Sequence, residues 1–319
     1  VGIVLGCMAT QRSCDFLGSR EFAMRPRLWL KLMSQNRSTI SFSPPFGYAL
    51  AARRLTQKDT DALDLSSWRI AGVGAEMIHE EWLDAFARAT APAGFDRKAF
   101  LPCYGMAECS LGVSFSPVGE GVHIDYVDGD RLSDTGEARS YAGEGEGRRK
   151  GFVNCGAPLP GFEVEIRDDQ GNVLPDRRVG RIFLRSPSVM QGYYNLPEIS
   201  AEVLSKDGWL NTGDLGYRVD GALYLTGRAK DLLIINGRNI WPQDLENLAE
   251  QQPEVRPTDA SAFSVMGIDG TEVAVLVVQC RETDPKAQAE LADRLHEAIS
   301  TEFGIRCLIE LVPPHTLPR

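Results

Sequence analysis

Residues Gly208-Trp-Leu-Asn-Thr-Gly-Asp-Leu-Gly-Tyr217 and, shortly after, Leu225-Thr-Gly-Arg-Ala-Lys-Asp-Leu-Leu-Ile-Ile-Asn-Gly-Arg-Asn-Ile-Trp-Pro-Gln-Asp-Leu-Glu246 decide the reading of this chain. The first string sets Asp214 behind Thr212 and Gly213, and the second sets Arg228 behind Gly227, a short strand further on. A carboxylate accepts two hydroxyl hydrogen bonds and a guanidinium donates several, so the pair suits a ligand with adjacent hydroxyls, such as a sugar. An Asp in a glycine turn is often only a local cap. The full string Trp-Leu-x-Thr-Gly-Asp-Leu-Gly is too long for that reading to suffice.

Outward from this stretch, the 319 residues are enough for two domains, with ordinary hydrophobic (43%) and charged (24%) content. The net charge of −10 argues against a general nucleic-acid binder, which needs a basic surface to displace counterions. The longest apolar run, Val273 to Val278, is strand-sized, so no membrane span is expected. Seven scattered cysteines form no Cys-x-x-Cys pair, which disfavours zinc and disulfide frameworks and makes a cytoplasmic location the simplest expectation.

Upstream, Pro26 opens an expected helix with Leu28, Leu32 and Met33 on one face, and Ile40 to Phe46 reads as a strand ending at Pro44-Pro45. Trp68 to Val73 reads as a buried strand, followed by Gly74-Ala75-Glu76 and a helix through Trp82, Phe86 and Ala89. Such alternation predicts a doubly wound α/β layer, with ligands at the carboxyl ends of its strands. From Ser116 to Gly151 the composition shifts to Gly, Asp, Glu and Arg, as in a solvated loop. Residues 162 to 185 read as a β-hairpin around Gln170-Gly171-Asn172. A small α+β module is expected from Lys230. It has strands at 232–235, 260–265, 273–279 and 308–312, a helix begun by Pro242, and a second helix through Leu291, Leu295 and Ile299 that stops near Gly304.

The strings around Asp214 and Arg228, with Tyr104-Gly105-Met106-Ala107-Glu108 upstream, resemble the adenylate-forming enzymes, which activate carboxylic acids with ATP. The wording Gly237-Arg238-Asn239 and Pro242-Gln243-Asp244 is most similar to the fatty acyl-AMP ligases within that superfamily. The resemblance implies an α/β fold: the second half of a large AMP-binding domain, with α/β layers and a β-rich part, over 1–229, then a small mobile domain over 230–319. It also offers a second reading of 116–151, as the insertion that separates these ligases from acyl-CoA synthetases. A triphosphate-cradling loop and a Ser-Gly-Lys lysine, both family features, lie outside the sequence, so a fragment that does not adenylate by itself is expected.

The resemblance also implies roles. Tyr104 would stack on adenine, a contact worth ~1–3 kcal/mol. Gly74, Ala75 and Glu76 would line its other face, with Gly105, Met106 and Ala107 in the same motif. Asp214 would bind both ribose hydroxyls with help from Arg228, Glu108 would be the acid linked to Mg²⁺, and Lys230 would mark the hinge between domains. Taken without the resemblance, Tyr104 is a packing residue, Glu108 solvated surface and Lys230 an ordinary surface lysine. Ser41 to Tyr48 resembles the wall of an acyl tunnel, where a lipid tail would gain ~0.8 kcal/mol per buried methylene; taken as isolated aromatics, these residues read more often as core. Gly192-Tyr193-Tyr194-Asn195 matches a family turn to which no role is given. The implied activity is ATP-dependent formation of a fatty acyl-adenylate, followed by transfer to an acyl carrier protein or to a carrier domain of a polyketide or nonribosomal synthase. Two alternatives stay open, an acyl-CoA synthetase and a non-catalytic adenylate-binding remnant.

Overall fold

The structure is a computed structural model that describes residues 2–143, 147–267 and 271–317. The chain divides into two compact units: Val1–Tyr126 with Gly151–Thr226, and Val127–Lys150 with Gly227–Arg319.

In the first unit, among the described residues, one sheet runs in the order β1 (Ile40–Ser43), β2 (Ile70–Val73), β3 (Phe100–Gly105), β4 (Gly112–Phe115) and β7 (Ala157–Pro158). The first three strands are parallel, and β4 and β7 continue antiparallel, so the sheet is mixed. The strand expected to reach Phe46 stops at Ser43, because Pro45 takes the first turn of a helix, Pro45–Arg54. Helix Arg27–Gln35 buries Trp29, Leu30 and Met33, while Leu28 and Leu32 are only half-buried. The indole of Trp29 decides the facing: it donates to Ser41 Oγ at 3.0 Å and meets the Trp68 ring edge-on at 5.1 Å. Tyr48, Phe86, Phe95 and Phe100 complete this aromatic core, with Tyr48 and Phe86 at 5.0 Å and 87°. Edge-to-face pairs of this kind add about 0.5–1.5 kcal/mol beyond their buried area. Tyr48 is therefore core, its hydroxyl donating to Gly72 O at 3.0 Å, whereas Phe42 and Phe46 are exposed.

A second, antiparallel sheet follows in the order β11 (Ala222–Arg228), β10 (Leu210–Val219), β9 (Gly180–Arg185), β8 (Glu163–Arg167). β8 and β9 pair from Glu163 with Arg185 to Arg167 with Arg181, which is the hairpin expected over 162–185.

β5 (Ile124–Asp128) and β6 (Arg149–Val153) form a two-stranded ribbon, and the division between the units falls within both strands. In the second unit β12 (Leu233–Ile235) pairs with β13 (Arg238–Ile240). A three-stranded sheet runs β14 (Ala260–Met266), β15 (Glu272–Gln279), β16 (Cys307–Val312), antiparallel then parallel. Helices Pro242–Glu250 and Pro285–Phe303 supply Leu245, Leu248, Leu291, Leu295, Ile299 and Phe303 to the core of this unit. Gly304, at φ 65°, ends the longer helix, as a glycine in the left-handed region does.

Of the Gly- and charge-rich stretch expected over 116–151, residues 117–120 are an exposed turn, as a solvated loop would be, while 127–143 and 147–150 are built structure; residues 144–146 lie outside the described residues. Asp128 caps helix Gly129–Thr135 by accepting from the amides of Asp130 and Arg131, and Leu132 is fully buried. The Lys150 ammonium meets Asp244 at 2.6 Å and lies 4.1 Å from the centre of the Trp241 ring. Burial lowers the Lys150 pKa, against the pull of Asp244. Arg148 covers the Phe303 ring at 4.3 Å, and Arg238 pairs with Asp134 at 2.7 Å while donating to Phe303 O at 2.9 Å. A solvated loop would make none of these contacts.

Candidate active site

The residues around Asp214 leave the ladder of β10. Asn211 pairs with Phe183 and Leu215 with Arg181, so four steps on β10 oppose two on β9. Such a bulge ejects residues from the pairing and re-aims a side chain. Here it is fixed by its own sequence. Asn211 Oδ1 accepts the Gly213 amide at 3.1 Å, Thr212 Oγ1 accepts the Asp214 amide at 3.0 Å, and the Thr212 hydroxyl donates to Ile182 O at 2.9 Å. Gly213 stands at φ 75°, where a side chain is strained.

The bulge delivers the Asp214 carboxylate to the end of β3. Tyr104 donates its hydroxyl to Asp214 Oδ2 at 2.6 Å, across 110 residues of sequence. Both are nearly buried, at 9% and 8% exposure, and the Tyr104 ring belongs to a core cluster with Cys109, Val113 and Leu210. Burial, reinforced by the Asp214 charge, raises the Tyr104 pKa well above its ordinary value, which favours the phenol as a donor. Met106 lies alongside, its sulfur 3.9 Å from that hydroxyl. Gly105 ends β3 against the carbonyl of Leu111, where a Cβ would collide.

On the neighbouring strand, Gly74 follows β2 and lies so close to β3 that a Cβ would come 2.6 Å from Cys103 O. The small residue is thus required by strand-to-strand approach. Ala75 sits at φ 69° and is exposed, as is Glu76, whose pKa is raised by desolvation.

Glu108 lies in the 3₁₀ turn Ala107–Cys109, and Ala107 is exposed there. The turn is tied to a distant loop twice: Met190 donates its amide to Glu108 O at 2.7 Å, and the Tyr193 hydroxyl donates to Glu108 Oε1 at 2.8 Å. That bond to a carboxylate raises the Tyr193 pKa. Glycine 192 and Tyr193 stood in a turn without an assigned role; the signal for a contact was a tyrosine pair, of which one, Tyr194, is 90% exposed and the other is not.

Tyr104, Met106, Glu108, Asp214 and the Gly74 turn thus gather in the first unit. Arg228, at the end of β11, and Lys230, in the turn after it, belong to the second unit, and both side chains are exposed.

This donor set fits a nucleotide with a divalent cation. A carboxylate offers about four acceptor positions, and on Asp214 the Tyr104 hydroxyl takes one of them. Among the described residues no group of three or more His, Cys, Asp or Glu side chains is placed to hold a metal ion. Glu108 is the type of single carboxylate ligand that Mg²⁺ takes, since that ion keeps several waters. No helix among the described residues is long and apolar enough to cross a membrane.

The family of AMP-binding enzymes matches residues 2–194. A Caulobacter vibrioides protein named "Putative acyl-CoA synthetase" is 44% identical over 320 residues, spanning 100% of this chain and 56% of that protein. The medium-chain fatty-acid–acyl-carrier-protein ligase JamA of Moorena producens is 33% identical, over 96% of this chain and 54% of its own length. A solved structure from work on the fatty acyl-adenylate ligases of E. coli and L. pneumophila superposes with a TM-score of 0.94 at 47% identity, covering 100% of this chain and 57% of that one. The chain thus spans about half the length of the relatives it matches, and over that length it has their mixed α/β fold. On the match over residues 2–194, this chain belongs to the AMP-binding enzyme family.

Proposed function

We propose that the whole protein activates a fatty acid with Mg-ATP and then hands the acyl group to a carrier protein. The fatty carboxylate attacks the α-phosphorus, pyrophosphate leaves, and an acyl-adenylate remains. The thiol of a phosphopantetheine arm, on an acyl carrier protein or a synthase carrier domain, then displaces AMP. The observation that carries this reading is the hydrogen bond from Tyr104 to Asp214. It sets a carboxylate beside a strand end that is lined by a glycine turn, which is a seat for a ribose and its base.

In this reading Asp214 accepts the ribose hydroxyls and is oriented by Tyr104, with Arg228 assisting. Gly74, Ala75, Glu76, Tyr104, Gly105, Met106 and Ala107 border the adenine. Glu108 would hold Mg²⁺, which neutralises phosphate charge when bound. The residues act by positioning and by charge, without a covalent intermediate. The 1–229 and 230–319 stretches act as large and small domains, with Lys230 at the hinge between steps.

The name of the Caulobacter relative favours a second reading, with coenzyme A as acceptor. The built structure of 127–143 and 147–150 favours the carrier protein, since an insertion that only decorates the surface would not bury Leu132 and pair Lys150. Mass spectrometry of the whole protein with Mg-ATP and a mid-chain fatty acid separates the two, with coenzyme A and a holo acyl carrier protein offered apart. Acyl-adenylate that persists with coenzyme A and acylates the carrier supports the ligase; prompt acyl-CoA supports the synthetase. No acyl-adenylate, acyl-CoA or acylated carrier in either reaction refutes both.

A further inference from the structure

Adjacent tyrosines in the 192–195 turn have opposite fates. Tyr194 is 90% exposed, while Tyr193 turns in and donates to Glu108 Oε1 at 2.8 Å. The turn is built to hold it there. The Tyr193 amide donates to Ser200 Oγ at 2.8 Å, and the Ser200 hydroxyl donates onward to Leu196 O at 2.7 Å, in the first turn of helix Pro197–Val203. Leu196 closes the loop by donating its amide to Tyr193 O at 3.1 Å. Gly192 stands at φ 150°, where a Cβ would also press on Ser200 Oγ at 3.0 Å. From the other side the Met190 amide holds Glu108 O at 2.7 Å, so one short loop fixes both the backbone and the side chain of Glu108.

We propose that Tyr193 is a positioning residue for Glu108: its hydroxyl holds Oε1 and so presents Oε2 to a divalent cation on the nucleotide phosphates. This rests on the reading of Glu108 given above. A half-buried carboxylate with free rotation would spread its two oxygens over many directions. A single neutral donor on one oxygen removes that freedom while leaving the charge in place. Partners that orient a metal ligand in this way matter to affinity nearly as much as the ligand does.

The test measures how much Mn²⁺ tightens ATP binding, as the ratio of affinities with Mn²⁺ and with EDTA, for the protein and for Glu108→Gln, Tyr193→Phe and Tyr193→Leu. AMP binding in EDTA is read alongside. The expected result is loss of the Mn²⁺ effect in Glu108→Gln and a roughly tenfold smaller effect in both Tyr193 variants, with AMP binding unchanged. If Tyr193→Phe matches the unaltered protein, or only Tyr193→Leu loses the effect, the ring packs and the hydroxyl does not position; the role of Glu108 then stands without it. If Glu108→Gln also keeps the Mn²⁺ effect, or the unaltered protein has none, the cation assignment fails and the positioning role falls with it.

Discussion

The bulge at 211–215 and the segments 127–143 and 147–150 both depart from the surrounding sheets, yet they are held by different means. The bulge is fixed within its own sequence, by Asn211 and Thr212 bonding amides two residues ahead. The segments 127–143 and 147–150 are fixed from far away: Arg238 pairs with Asp134, Lys150 reaches Asp244 and Trp241, and Arg148 reaches Phe303. Locally encoded geometry costs little to break and is visible in the sequence. Geometry that depends on distant charges is costly to break and is hidden there.

The largest expected effect falls on the distant pair. Asp244→Ala leaves a buried ammonium without its nearest carboxylate, and thermal unfolding should show a loss of about 3 kcal/mol, as when one partner of a buried ion pair is removed. Lys150→Met keeps an apolar stem over Trp241 and leaves Asp244 with Arg148 at 3.8 Å, so a clearly smaller loss is expected. Equal losses would mean that packing, not charge, holds this segment.

Next comes close approach in the site. Gly105→Ala drives a Cβ into the Leu111 carbonyl and should cost about 1–3 kcal/mol in denaturant unfolding, because strand β3 cannot yield without moving β4. Asn211→Ala removes one hydrogen bond to an amide and should cost about 1 kcal/mol. If the Asn211 variant proves the costlier of the two, the bulge is not the self-contained device described here.

These contrasts also mark what could be read beforehand. The Asp214 string stood out through its resemblance to a family motif, and the bulge that Asn211 and Thr212 hold was not read from it. The 162–185 hairpin and the Gly304 helix stop were legible because glycine marks a turn in the one and a helix end in the other. The facing of helix Arg27–Gln35 was not, since Trp29 faces inward to meet Ser41 and Trp68, neither of which a periodicity announces. Nor was the aromatic stretch at 41–48, whose Tyr48 joins the core while Phe42 and Phe46 stay exposed. The hydrogen bonds Tyr104–Asp214 and Tyr193–Glu108 span 110 and 85 residues, and no local spacing specifies them.

The smallest effect is a pH effect on a local device. Thr56 and Asp59 form a capping box, and hydrogen bonds from Thr56 and Arg27 bring the Asp59 pKa from 3.8 down to about 2. A lowered carboxylate stabilises the fold fully above the unfolded value and loses that contribution as pH falls from there through the folded value. Asp59→Asn should therefore flatten the acid limb of stability between about pH 4 and 2 and leave the slope near neutrality unchanged. An unchanged acid limb would show that this box contributes nothing.

The most direct test of the central claim, that Asp214 with Tyr104 forms the ribose seat, is calorimetric binding of AMP and of 2′,3′-dideoxy-AMP. The protein and its Asp214→Asn variant are compared side by side. The account predicts that the protein prefers AMP by roughly tenfold or more, as a site with a buried acceptor does, and that the variant loses most of this preference. A preference that survives in Asp214→Asn, or that is absent from the unaltered protein, would contradict it.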